Sequence, residues 1–348
     1  MLIMVTITKE KLNAQTDIPL MKYTVDKGNG YSFSCLNVGA ALTSLTMPDK
    51  DGKTSNILLS FNDPEDFITD QTYFFGKAIG RVGGRIKDGA FQFNNEYIQL
   101  PQNEGNNTLH GGNNGFHSLW WDVSELENGI VFTKTIDPEM DGFPAELAAS
   151  ISYTWISGNQ LQIEFTGENQ SEMATLFNPT THNYFNLNDN KTAGLKSHLL
   201  SIPARETVEL DKNQIPTGKL LNISGTAYDF NKESSLLEKL ESVKQIGASG
   251  FDDPYKVTDS EIAVLRNSDN GRYIRIHSDR NGLVFYSLNA TESKEIVNDG
   301  HALSPHMAVA LEPQTLPGAV HHPDFGNIVL DAGDKKTYRI IYELSVDA

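Results

Sequence analysis

The sequence contains very little cysteine, with Cys35 alone among 348 residues. An internal disulfide therefore cannot form, and a zinc site built on several thiolates is excluded. No apolar run approaches the roughly 20 residues that cross a bilayer. The apolar residues 1–5 are too few for the core of a signal peptide, because Lys9 and Glu10 follow at once. We expect a cytoplasmic protein without a membrane partner.

Positive charge is also scarce. The chain has 28 Lys and Arg residues against 45 Asp and Glu residues, which gives a formal net charge of -17 at pH 7. Such a surface repels phosphate backbones and anionic lipids, so nucleic acids and membrane surfaces are poor partners. A neutral small molecule is a better match, although the charge also serves solubility by itself.

Signatures of several common enzyme classes are missing. The glycine-rich residues 79–89, I-G-R-V-G-G-R-I-K-D-G, lack the lysine followed by Ser or Thr that a P-loop needs. There is no Gly-x-Ser-x-Gly elbow for a Ser-His-Asp triad. No His-x-His or His-x-x-x-His spacing supports zinc, and the adjacent His321 and His322 cannot easily chelate one ion. We expect neither a metal nor a cofactor.

Helical periodicity is rare, and alternation of apolar and polar residues dominates. Residues 161–165, 274–277 and 338–346 show the period of two that predicts half-buried strands. Asn-Gly and Asp-Gly turn signals recur between such segments. Helices are predicted at 232–240, where leucines have helical spacing, and as a single turn at 64–67. The pattern predicts an all-β fold, a large mainly antiparallel sandwich with few short helices, forming one domain over residues 1–348.

Five ionisable residues stand inside otherwise apolar or glycine-rich segments. They are Arg85 in G-G-R-I, His110 in T-L-H-G-G, His182 in F-N-P-T-T-H-N-Y-F-N-L, Asp252 in G-F-D-D-P-Y and Glu312 in V-A-L-E-P-Q-T-L-P. Each has an ordinary structural explanation, such as a loop histidine, a core histidine or a surface arginine. The glutamate is the most informative, because buried glutamates are rare unless they are paired or functional.

In their order along the chain, these segments resemble those of the aldose 1-epimerase (galactose mutarotase) family. The resemblance runs nearly end to end and includes residues 39–40, 48–49 and 115–121, the last reading G-F-H-S-L-W-W. No single motif is specific, but the ordered set is. It implies a large β-sandwich, the galactose mutarotase-like supersandwich, with an open sugar cleft. It also implies an isomerase that interconverts the α and β anomers of free hexoses such as galactose and glucose. Such an enzyme is expected to need no cofactor and to be a monomer or a homodimer.

The resemblance also implies roles for the five residues. Glu312 corresponds to the family's general base and His182 to its general acid, while Arg85, His110 and Asp252 correspond to substrate-binding residues. A carboxylate can take the proton of an anomeric hydroxyl while a protonated imidazole gives one to the ring oxygen. Three aromatic residues are candidates to pack on the apolar face of the sugar: Trp120, Tyr184 and Phe251.

The chain departs from the family pattern at four positions that bear on sugar preference. Many members carry Asn where Gly84 stands and His where Asp253 stands, and others carry Gln in place of Val284 and Ser in place of Asn183. Three alternative functions stay open. A hexose-6-phosphate 1-epimerase needs basic residues at the cleft mouth. A glycoside hydrolase needs two carboxylates across the bond, and a non-catalytic sugar-binding protein would lose the acid or the base.

Overall fold

Antiparallel β-strands are the dominant secondary structure of the computed structural model, which describes residues 4–93, 96–289 and 295–347. Within these ranges the largest sheet has nine strands. In order of pairing they are Asp122–Leu126, Gly129–Ile136, Leu147–Trp155, Gln160–Asn169, Lys335–Val346, Arg272–Ser278, Glu261–Asn267, His198–Ser201 and Ser234–Ser235. All neighbouring pairs in this sheet are antiparallel.

A second sheet has six described strands, again with every neighbouring pair antiparallel. In order of pairing they are Tyr184–Phe185, Val309–Gln314, Gly282–Tyr286, Asp252–Val257, Ala204–Leu210 and Pro216–Asn222. All six of these strands come from the C-terminal half of the chain. The last strand, Pro216–Asn222, lies at the edge of the sheet.

The remaining strands form smaller sheets. Five consecutive strands pair in chain order: Thr6–Lys11, Met21–Gly28, Tyr31–Leu36, Leu42–Pro48 and Thr54–Asn56. Two-stranded ladders join Arg85–Ile86 to Thr108–Leu109, Ala78–Ile79 to Thr180–Thr181, Ala90–Phe93 to Glu96–Gln99, Thr175–Leu176 to Val329–Leu330, and Ile296–Val297 to His301–Ala302. The first two ladders carry residues next to the cavity described below.

The two largest sheets share one hydrophobic core. Ile163 and Tyr342 of the nine-stranded sheet lie in the same buried cluster as Phe285 and Leu311 of the six-stranded sheet. In the strands that carry Ile163 and Tyr342, buried residues alternate with partly exposed ones. Since successive side chains of a strand point to opposite faces, one face of each sheet enters the core. The predicted all-β, mainly antiparallel sandwich is confirmed.

The main helix begins later than the leucine spacing predicts. The sequence predicted a helix at 232–240, whereas the structure places it at Leu236–Gln245. Ser235 is the N-cap, and its hydroxyl accepts a hydrogen bond from the amide of Glu238 at 3.4 Å. This bond satisfies an amide that the first helical turn leaves unpaired and so favours a start at this residue. Hydrophobic spacing alone does not define such an end.

The other described helices are short. The turn predicted at 64–67 lies at Asp66–Thr69, and a second short helix lies at Pro138–Asp141. Single 3₁₀ turns occur at Lys87–Gly89, Phe116–Ser118, Lys191–Ala193, Asn298–Gly300 and Pro323–Phe325. Within residues 4–93, 96–289 and 295–347, no helix is long and apolar enough to cross a membrane.

Candidate active site

One cavity brings together all five residues singled out in the sequence. It has a volume of about 220 Å³, and its lining includes Arg85, His110, His182, Asp252 and Glu312. We call it the central cavity. These residues are far apart in the chain, so they become neighbours only in the folded protein.

The six-stranded sheet supplies the floor of the central cavity. Glu312 pairs with Val284 across one ladder, and Tyr286 pairs with Asp252 across the next. Alternate residues share a face of a sheet, so the two carboxylates rise from the same face, separated by one strand. Phe285, between Val284 and Tyr286, points instead into the core. The period of two therefore presents acids to the cavity and apolar side chains to the sandwich.

His182 is fixed by its backbone and faces Glu312. Its backbone N–H donates a hydrogen bond to the carbonyl of Lys77 at 2.9 Å. Its backbone carbonyl accepts a hydrogen bond from the amide of Gly76, also at 2.9 Å. The ring lies against Tyr184, with centroids 4.8 Å apart. Nε2 lies 3.4 Å from Oε1 of Glu312, and the two residues are only 6% and 2% exposed. This distance is too long for a strong direct hydrogen bond, and it leaves both groups able to contact a common ligand.

His110 occupies an unusual backbone conformation beside Gly84. Its φ is 52°, and it exchanges two hydrogen bonds with Gly84. The Gly84 amide donates to Nδ1 at 3.2 Å, and the His110 amide donates to the Gly84 carbonyl at 3.0 Å. Because Nδ1 accepts, the proton of a neutral imidazole lies on Nε2, which can act as a donor. Gly84 itself has a φ of 75°, a conformation that Gly and Asn both adopt. The presence of Gly where many family members carry Asn is therefore compatible with the same backbone conformation.

Arg85 is held by a carboxylate that the sequence analysis did not identify. Its Nε and Nη2 atoms donate to the two oxygens of Glu104 at 2.6 and 2.7 Å, a bidentate pair. Burial lowers the pKa of Arg85, but the hydrogen bonds and charge of Glu104, with Asp252 and Glu312, raise it overall. Glu104 also lines the central cavity. The pair fixes the guanidinium and compensates its charge.

Burial favours the uncharged forms of the facing pair. It raises the pKa of Glu312 well above 4.5, and the nearby Asp252 charge raises it further while Arg85 lowers it. Burial also lowers the pKa of His182 to about 3. Burial therefore favours the form of the pair in which the carboxyl group carries the proton and the imidazole is neutral. The pKa of His110 is likewise lowered, by burial and then by His182 and Arg85.

Two further cavity residues escaped the sequence analysis. Gln314 is completely buried, and within the described residues neither its side-chain oxygen nor its nitrogen has a hydrogen-bond partner. It lies two residues after Glu312 and on the same face of the strand, which is the sequence signal that marks it. Phe74 has a φ of 55° and its ring contacts the rings of His110 and His182, with centroids 5.1 and 5.9 Å apart. No local pattern indicated that contact.

Of the three aromatic candidates, Tyr184 alone lines the central cavity. The prediction for Phe251 is wrong, because its side chain is completely buried in the sandwich core and stacks on Phe285 at 4.9 Å. Trp120 packs against a separate apolar cluster. The burial of Phe251 follows from strand alternation, since Asp252 is the next residue and faces the opposite side.

The cavity does not combine its acids and histidines into a recognisable metal centre. Across the described ranges, no group of three or more His, Cys, Asp or Glu side chains has an arrangement that holds a metal ion. Asp253 lies next to Asp252 but on the other face of the strand, where it lines a different cavity with Tyr228. Burial raises the pKa of Asp253 to about 7.

The sequence profile of the family described as Aldose 1-epimerase matches residues 21–343. The chain belongs to the aldose 1-epimerase family. The match spans both large sheets and all five of the predicted cavity residues. The resemblance read from the ordered motifs is confirmed, and the protein is an isomerase of this family.

Individual relatives agree with this assignment over nearly the full length. The aldose 1-epimerase of Streptococcus thermophilus is 37% identical over 334 residues, which is 92% of this epimerase and 93% of the relative. The maltose epimerase of Levilactobacillus brevis is 33% identical and covers 97% and 98% of the two chains. The crystal structure of galactose 1-epimerase from Lactobacillus acidophilus NCFM matches with a TM-score of 0.84 at 26% identity, covering 99% and 100%.

Proposed function

We propose that this epimerase interconverts the α and β anomers of free hexoses such as galactose and glucose in the central cavity. One observation carries the proposal. The buried His182 and Glu312 face each other at 3.4 Å and line the same cavity as Arg85, His110 and Asp252. The names of two relatives, aldose 1-epimerase and galactose 1-epimerase, support an aldose as the substrate and galactose in particular.

Anomer exchange requires one proton to leave the sugar and another to arrive. Glu312 removes the proton of the anomeric hydroxyl while His182 gives a proton to the ring oxygen. The bond from C1 to the ring oxygen breaks, and C1 becomes an aldehyde. After the C1–C2 bond turns by about half a revolution, both roles reverse and the ring oxygen attacks the other face of the carbonyl. The enzyme and the sugar together gain and lose no net proton over the cycle. The reaction therefore needs no cofactor to supply or accept one.

The facing pair carries the single proton that this chemistry needs. Burial favours its location on Glu312, because burial raises the pKa of that carboxyl and lowers the pKa of His182. Moving the proton to His182 produces the carboxylate base and imidazolium acid without any change in net charge. Arg85, whose charge lowers the pKa of Glu312, stabilises that form, and sugar hydroxyls add hydrogen bonds to it.

The remaining residues orient the sugar and stabilise charge. Asp252 accepts hydrogen bonds from hydroxyl groups, and the Nε2–H of His110 donates one. Arg85 stays in place because Glu104 binds it through two bonds, so its charge is preorganised toward oxygen atoms of the substrate. A buried cavity strengthens each of these interactions relative to water.

The open alternatives are less well supported. Arg85 is the one permanent cation among the described residues that line the central cavity, and Glu104 compensates it, so the cavity lacks a free charge for a phosphate. A glycoside hydrolase uses two carboxyl groups across the bond, whereas the group that faces Glu312 at 3.4 Å is the imidazole of His182 and Asp252 is assigned to the sugar hydroxyls. A non-catalytic binding protein does not require the facing acid and base, His182 and Glu312.

The test is polarimetry of freshly dissolved α-glucose and α-galactose with the full-length enzyme. Glu312→Gln keeps the shape and removes the basicity, and His182→Asn removes the acid. Each should lower kcat by about 10²–10⁴-fold. The double variant should lose less than the product of the two single losses, because the groups act as one unit.

A matched control is Glu125→Gln, an exposed acid on the nine-stranded sheet. It should retain wild-type kcat, and circular dichroism should show the same fold for all variants. If Glu312→Gln keeps more than about a tenth of wild-type kcat, a loss below the range for a general base, Glu312 is not the base.

A further inference from the structure

Residues 70–77 form a loop that contacts both the backbone and the ring of His182, and the proposed chemistry gives this loop no role. We call it the Phe74 loop. Gly76 and Lys77 make the two backbone hydrogen bonds to His182, each at 2.9 Å. The ring of Phe74 lies against the ring of His182, with centroids 5.9 Å apart. Phe74 also lines the central cavity. The loop therefore touches the proposed acid directly.

Phe74 packs against three histidine rings at once. The distances between ring centroids are 4.8 Å to His117, 5.1 Å to His110 and 5.9 Å to His182. The first two contacts are edge to face, an arrangement that aromatic rings prefer. His117 is completely buried, and its Nε2 lies 3.1 Å from Oε1 of Gln71 in the same loop. A single apolar ring, itself only 4% exposed, therefore contacts both histidines that line the central cavity.

The backbone of Phe74 is held in a conformation that a bulky residue rarely adopts. Its φ is 55°, in the left-handed region. Oδ1 of Asp70 accepts hydrogen bonds from the amides of Thr72 and Tyr73 at 2.9 and 2.8 Å, and Oδ2 accepts one from the amide of Phe74 at 2.7 Å. Nζ of Lys77 donates to the carbonyl of Asp70 at 2.7 Å and lies 3.6 Å from Oδ2, so the buried carboxylate has a countercharge. Such a strained residue persists only where its surroundings fix it, and strained residues cluster at active sites.

The apolar ring of Phe74 bears on the charge of His182. Among the described residues, the titratable groups that face this imidazole are Glu312, His110, Tyr184 and Tyr286. Burial lowers the pKa of His182 to about 3, and it lowers the pKa of His110 well below 6.5. Phe74 supplies part of the apolar surface that keeps water from both rings. Water in its place would solvate an imidazolium and raise the pKa of His182.

We propose that Phe74 is a positioning residue whose ring holds His182 and His110 in their reactive orientations and shields both from water. The inference rests on the proposed function, in which His182 gives a proton to the ring oxygen of the sugar. A proton donor must stay within hydrogen-bond reach of its acceptor, and a small misplacement of the donor slows the reaction. Phe74 exchanges no proton itself, because its side chain carries none that is acidic. It acts only through the histidines.

The experiment measures kcat, KM and the pH profile of kcat/KM for freshly dissolved α-glucose and α-galactose by polarimetry with the full-length enzyme. Phe74→Leu keeps an apolar side chain and removes the ring. It should lower kcat at pH 7 by about 10- to 10²-fold through misplaced histidines, while KM changes less than about threefold. The acid limb, where the facing pair takes up a second proton, should move to higher pH by at least about half a unit, because hydration raises the pKa of His182.

Three further variants separate the ring contacts from general packing. Phe74→Tyr keeps the ring and should retain the wild-type acid limb. Phe67→Leu is the matched control, because Phe67 is 2% exposed, packs on Phe61 and lines a different cavity. It should weaken the fold against urea but leave kcat and the acid limb unchanged. Asp70→Asn has one acceptor oxygen where the carboxylate has two, so it should loosen Phe74 and move the acid limb in the same direction. This variant carries the test if circular dichroism shows that Phe74→Leu is unfolded.

Other outcomes overturn the positioning role. An unmoved acid limb in both Phe74→Leu and Asp70→Asn shows that Phe74 does not shield His182, whether or not kcat falls. An equal shift in Phe67→Leu shows that the shift comes from lost stability. A rise in KM with unchanged kcat and pH profile in Phe74→Leu places the ring against the sugar instead. Inactivity of the wild-type enzyme on both sugars rejects the proposed function, whereas normal wild-type activity with an unmoved acid limb in the variants rejects the positioning role alone.

Discussion

Nε2 of His182 lies 3.4 Å from Oε1 of Glu312, and neither Nδ1 of His182 nor Oε2 of Glu312 has a hydrogen-bond partner within the described residues. Buried polar atoms without partners destabilise a protein unless a ligand or water satisfies them. Both atoms belong to residues that line the central cavity. The unpaired atoms of this buried pair support its proposed role in binding and converting a substrate.

This arrangement predicts that Glu312→Gln stabilises the fold in a pH-dependent way. Burial raises the folded-state pKa of Glu312 above its ordinary value of 4.5. Below about pH 4.5 the carboxyl is protonated in both states and costs nothing. As pH rises through the raised folded-state pKa, the unfolded chain ionises more readily and wild-type stability falls. The free energy of unfolding of Glu312→Gln should therefore exceed that of wild type by an amount that grows as pH rises above 4.5.

Urea denaturation at several pH values measures that difference. Glu125→Gln is the control. Glu125 is exposed, so replacing its carboxylate removes no buried charge and should not change the free energy of unfolding in this way. A difference between Glu312→Gln and wild type that is constant from pH 4.5 to 8 would show that Glu312 is not destabilised by burial.

The charge of Asp252 should set where activity is lost at high pH. The active pair holds one proton, so kcat/KM falls when pH rises through the pKa of Glu312. Because the Asp252 charge raises that pKa, Asp252→Asn should move the alkaline limb to lower pH. Its KM should also rise, since sugar hydroxyls lose an acceptor. The measurement is kcat/KM against pH for glucose.

Asp253→Asn is a matched control for this shift, because Asp253 is the next residue but faces a different cavity. Its alkaline limb should coincide with that of wild type. If Asp252→Asn leaves both KM and the alkaline limb unchanged, the assignment of this aspartate to substrate binding is wrong.

Glu104 should act as a positioning residue for Arg85. Glu104→Gln removes the charge from a bidentate pair with bonds of 2.6 and 2.7 Å, so the guanidinium loses its fixed orientation. We expect KM for glucose to rise about 5- to 10-fold while kcat falls less than about threefold, the pattern of lost binding. Glu104→Asp should restore part of the affinity. A loss confined to kcat would contradict a positioning role.

Metal removal should leave activity intact. The proposed reaction is proton transfer between side chains and sugar, and the described acids and histidines form no metal-binding group. Full kcat is expected after exhaustive chelation and dialysis, measured by polarimetry. Loss of activity that returns on addition of a divalent cation would rule out the metal-free mechanism.

Much of the fold could be predicted from the sequence, because strand patterning is local. Alternation around Ile163 and Tyr342 marks one face of each strand as apolar, and the sandwich follows when two such faces pack together. The predicted helix ends were less accurate, since the start at Leu236 depends on the side-chain cap of Ser235 rather than on spacing. The organisation of residues 1–348 as one domain stays a prediction.

The sequence by itself determined the family and the five candidate residues, because these lie in ordered motifs whose spacing does not depend on tertiary contacts. Their catalytic and binding roles stay predictions. Only the tertiary structure decided that Glu104 holds Arg85, that Gln314 is buried beside Glu312 without a side-chain partner among the described residues, and that Phe251 lies in the core. Such relationships join residues from separate strands and loops. They depend on which face each side chain takes after the sheets have paired, and that choice is made by packing across the whole chain.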